Sequence, residues 1–95
     1  MRRVKMNRKP LTSAQIRAAR ALLRWRAEDL ARETRVGVAT IRRAELSNSE
    51  TALTPANDFA IRRALEAAGV EFIDENGGGP GVRLQKRGKQ AELFD

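Results

Sequence analysis

Ninety-five residues make one small domain, whose core buries only about 60% of the unfolded surface. Hydrophobic residues are 41% of the chain and charged residues 33%, and no apolar run approaches the roughly 20 residues of a membrane span. Cysteine and histidine are both absent, which excludes disulfides, thiol nucleophiles, thiolate or imidazole metal sites and the commonest general base. The expectation is a protein that is not an enzyme and carries no cofactor or metal. No apolar segment with a small-residue cleavage site follows the basic start, so a cytoplasmic protein is expected rather than a secreted precursor.

The formal net charge is +7, from 19 basic and 12 acidic residues. It is unevenly spread. Residues 1–45 hold 13 basic and 4 acidic side chains, net +9, and residues 46–95 hold 6 and 8, net −2. A basic half joined to a weakly acidic half fits a chain that touches a polyanion with one part and something else with the other.

Residues 1–11 carry Arg2, Arg3, Lys5, Arg8 and Lys9, no acid, and Pro10 near their end. They lack a core pattern and are expected to be a flexible basic arm. Thr12 with Gln15 three residues on is a capping-box pattern, and the following SAQIRAARALLRW is rich in helix formers. Ile16, Ala19 and Leu23 define its inner face, and Arg20 falls on that face. A second helix is expected over Ala27–Thr34, with Glu28 and Asp29 in the first turn and Ala27, Leu30, Ala31 and Thr34 facing inward. A third follows after Arg35-Val36-Gly37 and covers Val38–Leu46, with Val38, Ile41, Ala44 and Glu45 inward. Residues 47–54 read as a loop. Thr54 then caps a fourth helix that has Pro55 at its first position, an apolar stripe of Ile61, Ala64, Leu65 and Ala68, and Gly69 as its stop.

VEFID (70–74) and GVRLQ (81–85), separated by Asn76-Gly77-Gly78-Gly79-Pro80, read as a β-hairpin. The glycine run lacks the Lys-Ser/Thr of a phosphate-binding loop and lies between strands. A lone hairpin is marginal in water, so this one packs on the helices or pairs with a second chain. Residues 86–95 read as a flexible tail. The domain organisation expected is therefore an arm (1–11), a helical domain (12–69), a hairpin appendage (70–85) and a tail (86–95).

The central feature is the pair of short helices joined by three residues. They must cross steeply, as in a helix-turn-helix, which leaves the second helix free to enter a DNA major groove about 12 Å wide. Leu30-Ala31, Val36, Thr40-Ile41, Arg43 and Glu45 match the pattern L-A-x(4)-V-x(3)-T-I-x-R-x-E, with Ala18-Ala19-Arg20 and Trp25 in register before it. Over residues 12–69 the chain resembles the lambda-repressor-like (XRE, Cro-type) helix-turn-helix family, and the hairpin resembles an appendage of some short bacterial members. The resemblance implies a mainly α fold of four to five helices with a C-terminal two-stranded hairpin.

It also implies roles. Val38, Ala39, Arg42 and Arg43 are the expected base contacts, with the arginines suited to guanine O6 and N7. Arg26, Ala27, Arg35 and Thr40 are the expected phosphate contacts. Arg20 and Glu45 are expected to pair as a buried ion pair, and Trp25 to be core. Three positions depart from the family: Arg35 stands where Gly is usual in a left-handed turn, and Arg26 and Gly37 stand where Ser or Thr usually caps. For Arg17, Arg24 and Arg32, phosphate contact and plain solvation both remain open. So do minor-groove and non-specific roles for the arm.

The resulting expectation is a small repressor or autoregulator that binds double-stranded DNA at a two-fold operator as a homodimer. Phe72, Ile73, Val82 and Leu84, or the fourth helix, are the candidate dimer surface. The alternative is an antitoxin or antiactivator that acts through a regulatory protein partner. A membrane-surface role is disfavoured, because the helices are Ala-rich and lack large apolar faces.

Overall fold

The computed structural model describes residues 9–47 and 50–85. Residues 1–8 of the expected arm and 86–95 of the expected tail lie outside the described residues. Four helices, α1 (Ser13–Leu23), α2 (Ala27–Thr34), α3 (Val38–Leu46) and α4 (Pro55–Ala67), are followed by β1 (Val70–Ile73) and β2 (Gly81–Leu84). The protein is mainly helical with one small antiparallel hairpin. Among the described residues, no helix is long and apolar enough to cross a membrane.

Local chemistry sets the helix ends. Thr12 Oγ1 accepts from Gln15 N–H at 3.1 Å, while Gln15 Oε1 accepts from Thr12 N–H at 3.0 Å, closing a capping box on α1. At α2 the Arg26 side chain has no acceptor with which to cap the first turn, but Asp29 reaches back and accepts from the N–H of Arg26 at 2.8 Å. Thr54 Oγ1 accepts from Asn57 N–H at 3.1 Å and Pro55 occupies the first turn of α4. Gly69, at φ 110°, turns the chain out of α4 into β1 in a conformation that a side chain would strain.

One core runs through the domain. Leu11, Ile16, Ala19, Leu30, Ile41, Ala44, Ile61, Leu65 and Val70 are fully buried in it. α2 packs on α3 and α4, α1 packs on α3 and on both strands, and α4 packs on β1. Each fully buried Leu or Ile contributes about 1.5–3 kcal/mol, so the core depends on a few residues.

Two expected boundaries move. The ordered domain begins before Thr12: Leu11 is a core residue, its N–H donates to Asp58 Oδ1 at 3.0 Å, and Lys9 C=O accepts from Arg62 at 2.7 Å. The hairpin, for its part, is no appendage. In its register Val70 opposes Leu84 and Phe72 opposes Val82, which puts these four on one face. Val70 and Phe72 point from that face into the common core. Gln15 Nε2 ties the loop end of the hairpin to α1, donating to Gly81 C=O at 3.1 Å and Ile73 C=O at 3.4 Å. Gln85 N–H donates back to Gly69 C=O at 2.8 Å.

Candidate nucleic-acid interface

The connection between α2 and α3 is built by three residues. Val36 drops into the core beside Leu30 and Ile41. Thr34 Oγ1 donates to Leu30 C=O at 2.8 Å and accepts from Val36 N–H at 3.0 Å, so one hydroxyl links the end of α2 to the turn. Arg35 adopts the left-handed conformation, φ 62° and ψ 20°, a region that favours glycine. Gly37 then precedes α3 without a side-chain cap.

α3 is held from behind by one face of α1. Ser13, Arg17 and Arg20 recur at helical spacing. Ser13 Oγ donates to Ala44 C=O, and Arg17 Nη1 donates to Glu45 C=O, both at 2.5 Å. These bonds satisfy carbonyls of the last turn of α3, where positive charge is also favourable. Arg20 forms a bidentate pair with Glu45, Nε to Oε2 and Nη2 to Oε1 at 2.7 Å each, and its Nη1 donates to Trp25 C=O at 2.9 Å. The Glu45 carboxylate raises the Arg20 pKa above its ordinary value. Trp25 is half-buried against the core. Sequence reasoning missed the roles of Ser13 and Arg17; only their spacing with Arg20 carried a signal. Arg17 gives Nη1 to this carbonyl while its side chain stays exposed, so phosphate contact through its remaining donors is left open. Arg32 is likewise engaged, at 2.7 Å from Asp29.

The opposite face of α3 is open. Ala39, Arg42, Arg43 and Leu46 are exposed at helical spacing, with Val38 and Thr40 half-buried beside them. Arg43 Nη2 donates to Thr40 Oγ1 at 3.3 Å. Arg42 Nη2 donates to Glu28 Oε2 in the first turn of α2. Glu28 is held below the usual carboxylate range, first by a backbone N–H at its own position and then by Arg42. Leu46, 80% exposed at the end of this face, was not anticipated.

The remaining expected positions divide. Arg26 and Arg35 are exposed and reach solvent. Ala27 is buried, so only its backbone N–H can meet a phosphate. Of the four hairpin residues expected at a dimer surface, Phe72 is instead a core residue, 8% exposed, with the Arg62 guanidinium 5.4 Å from its ring centre. Ile73 and Leu84 are exposed and Val82 is half-buried. A cleft lined by Lys9, Thr12, Gln15, Glu50, Asp74 and Glu75 shares no residue with α2 or α3.

Comparison with known proteins found no matching family model, no matching curated protein and no matching solved structure.

Proposed function

We propose that the chain is a small transcriptional regulator that binds double-stranded DNA sequence-specifically through a lambda-repressor-like helix-turn-helix. The observation that carries this reading is the two-faced character of α3. Its inner face is fixed by Ile41, Ala44, Glu45 and three residues of α1, while its outer face offers Ala39, Arg42 and Arg43 to solvent. A rigid helix with exposed arginines suits the major groove, where base edges carry a distinguishable pattern of donors and acceptors. Arg42 and Arg43 act as donors to guanine, and Ala39 meets a thymine methyl. Arg26, Arg35, Thr40 and the N–H of Ala27 hold the phosphates that set the register. One such helix spans few base pairs, so a homodimer on a two-fold site supplies the specificity.

A second reading, an antitoxin or antiactivator acting on a protein partner, is favoured by Leu46 and by Phe59, which is 59% exposed on α4. One experiment separates the two. The full chain is mixed with DNA from upstream of its own gene, with excess non-specific competitor at two salt concentrations. The DNA reading expects a discrete complex that weakens steeply with salt. That complex disappears in Arg42→Ala/Arg43→Ala while the melting temperature is kept. Failure to shift any DNA, with capture of a protein partner instead, moves the assignment to the second reading.

A further inference from the structure

Glu28 stands among the arginines of the open face, and its negative charge opposes DNA binding there. Its carboxylate accepts from Arg42 Nη2 across the angle between α2 and α3, 14 residues apart in sequence. Both side chains are about half exposed. The first turn of α2 favours an acid here, but an exposed pair of this kind contributes little to stability, so folding gives no reason for that acid to reach Arg42. Phosphates give a reason against it, because an acid on a DNA-facing surface repels the backbone. The pair has a different chemical use. Arg42 uses one nitrogen on Glu28 and, among the described residues, has no other partner for Nε and Nη1. Nη2 carries two N–H groups, so the one not given to Glu28 still pairs with the neighbouring nitrogen as a bidentate edge for guanine O6 and N7. The carboxylate itself accepts from the N4 amino group of cytosine and is repelled by edges that offer acceptors alone.

We propose that Glu28 is a positioning and specificity-determining residue: with Arg42 it forms a donor–acceptor unit across the α2–α3 angle that selects a G·C pair in the major groove. This rests on the reading of α3 as the groove helix. Glu28 fixes the Arg42 guanidinium before DNA arrives, and it penalises base pairs and non-cognate sites that cannot donate to it. It therefore lowers general affinity while raising discrimination.

The test is selection from a randomised duplex library by the full chain, comparing wild type, Glu28→Gln, Arg42→Ala and the double variant, with thermal melts of each. Wild type is expected to select a G·C pair that Arg42→Ala relaxes. Glu28→Gln is expected to relax preference at that same base pair, to bind non-cognate DNA more tightly, and to lower the cognate to non-cognate ratio about tenfold, the scale of one bidentate base contact. The double variant should lose little discrimination beyond Arg42→Ala alone, and all four should melt alike. Glu28→Gln tightening every sequence equally, with preferences intact, overturns the proposal and leaves α3 as the groove helix. Preferences and affinities both unmoved by Glu28→Gln overturn it likewise. Selection of no sequence by wild type overturns the DNA reading and this proposal together.

Discussion

The guanidinium of Arg20 and the carboxylate of Glu45 lie edge to edge, joined by two hydrogen bonds of 2.7 Å. The pair connects α1 to α3 and sets the angle at which α3 presents its open face. Glu45 is buried and Arg20 only partly exposed, so removing one partner leaves a poorly solvated charge behind. Glu45→Ala is expected to cost about 3 kcal/mol, a large share of the roughly 5–15 kcal/mol available to a domain. Arg20→Met/Glu45→Leu is expected to recover most of that loss, because two apolar groups need no counter-charge. Urea titrations followed by the fluorescence of Trp25, the single tryptophan, measure both. Equal losses in the single and double variants would mean that the cost lies in the lost contacts between α1 and α3 and not in a stranded charge.

Arg35 sets stability against the proposed binding of DNA. At φ 62° its side chain crowds its own backbone, and glycine relieves that strain. Arg35→Gly is expected to stabilise the domain by about 1 kcal/mol. The same change removes a proposed phosphate contact, lowering the slope of log affinity against log salt by about 0.9. Arg24, at φ 59°, is the comparison. Arg24→Gly should stabilise similarly, and its effect on the salt slope decides between phosphate contact and solvation. A slope unchanged in Arg35→Gly removes Arg35 from the phosphate contacts.

The helices were legible where capping chemistry is local. Thr12 with Gln15, Thr54 with Pro55, and Gly69 each act within a few residues, so the sequence carries the whole interaction. The hairpin strands were legible for the same reason, but not the face they bury. Alternation groups Val70 with Phe72, yet only the packing of α1 and α4 decides that this face is covered. Leu11 reads as arm because one leucine after a proline makes no period; its N–H is held by Asp58, 47 residues away. The clamp of Ser13 and Arg17 on α3 and the Glu28–Arg42 pair depend on the angles between helices. That is tertiary information: spacing places Ser13 and Arg17 on one face with Arg20 but does not say what that face meets.

Gln15 is the joint between the helices and the hairpin. It completes the α1 cap and donates to two hairpin carbonyls. Gln15→Ala leaves those carbonyls and one backbone N–H without their partner, at a cost of about 1–3 kcal/mol. The loss is expected to be uneven. Amides of Ile73 and Gly81 should exchange much faster, while those in the middle of α4 follow global stability alone. Uniform acceleration across all amides would mean that the hairpin is held by its apolar face and that Gln15 serves only the cap.

Asp29 gives a pH dependence with a defined sign. The N–H of Arg26 first, and the Arg32 guanidinium second, hold its carboxylate below the ordinary value of 3.8. A carboxylate with a lowered folded-state pKa contributes stability that is complete above its unfolded value and is lost as pH falls through the folded value. Asp29→Asn should therefore melt below wild type at pH 7, and the gap should close from about pH 4 downward. A gap that stays constant down to pH 2 would assign the effect to side-chain packing rather than to charge.

The hairpin offers two substitutions that look alike in sequence and should behave oppositely. Phe72 is 8% exposed and Leu84 is 41% exposed, although their register puts them on the same face. Phe72→Ala opens a cavity under α4 and should cost about 3–5 kcal/mol without changing assembly once the lost stability is allowed for. Leu84→Asp lies at the rim, where a charge stays hydrated, and should leave the monomer's stability within about 0.5 kcal/mol. If copies associate through Ile73, Val82 and Leu84, that same Leu84→Asp change abolishes the dimer and weakens operator binding. Phe59→Asp poses the question for α4. Sedimentation equilibrium of the three variants against wild type decides among them. A wild-type chain that is monomeric at high concentration and on DNA would remove the dimer expectation for both surfaces.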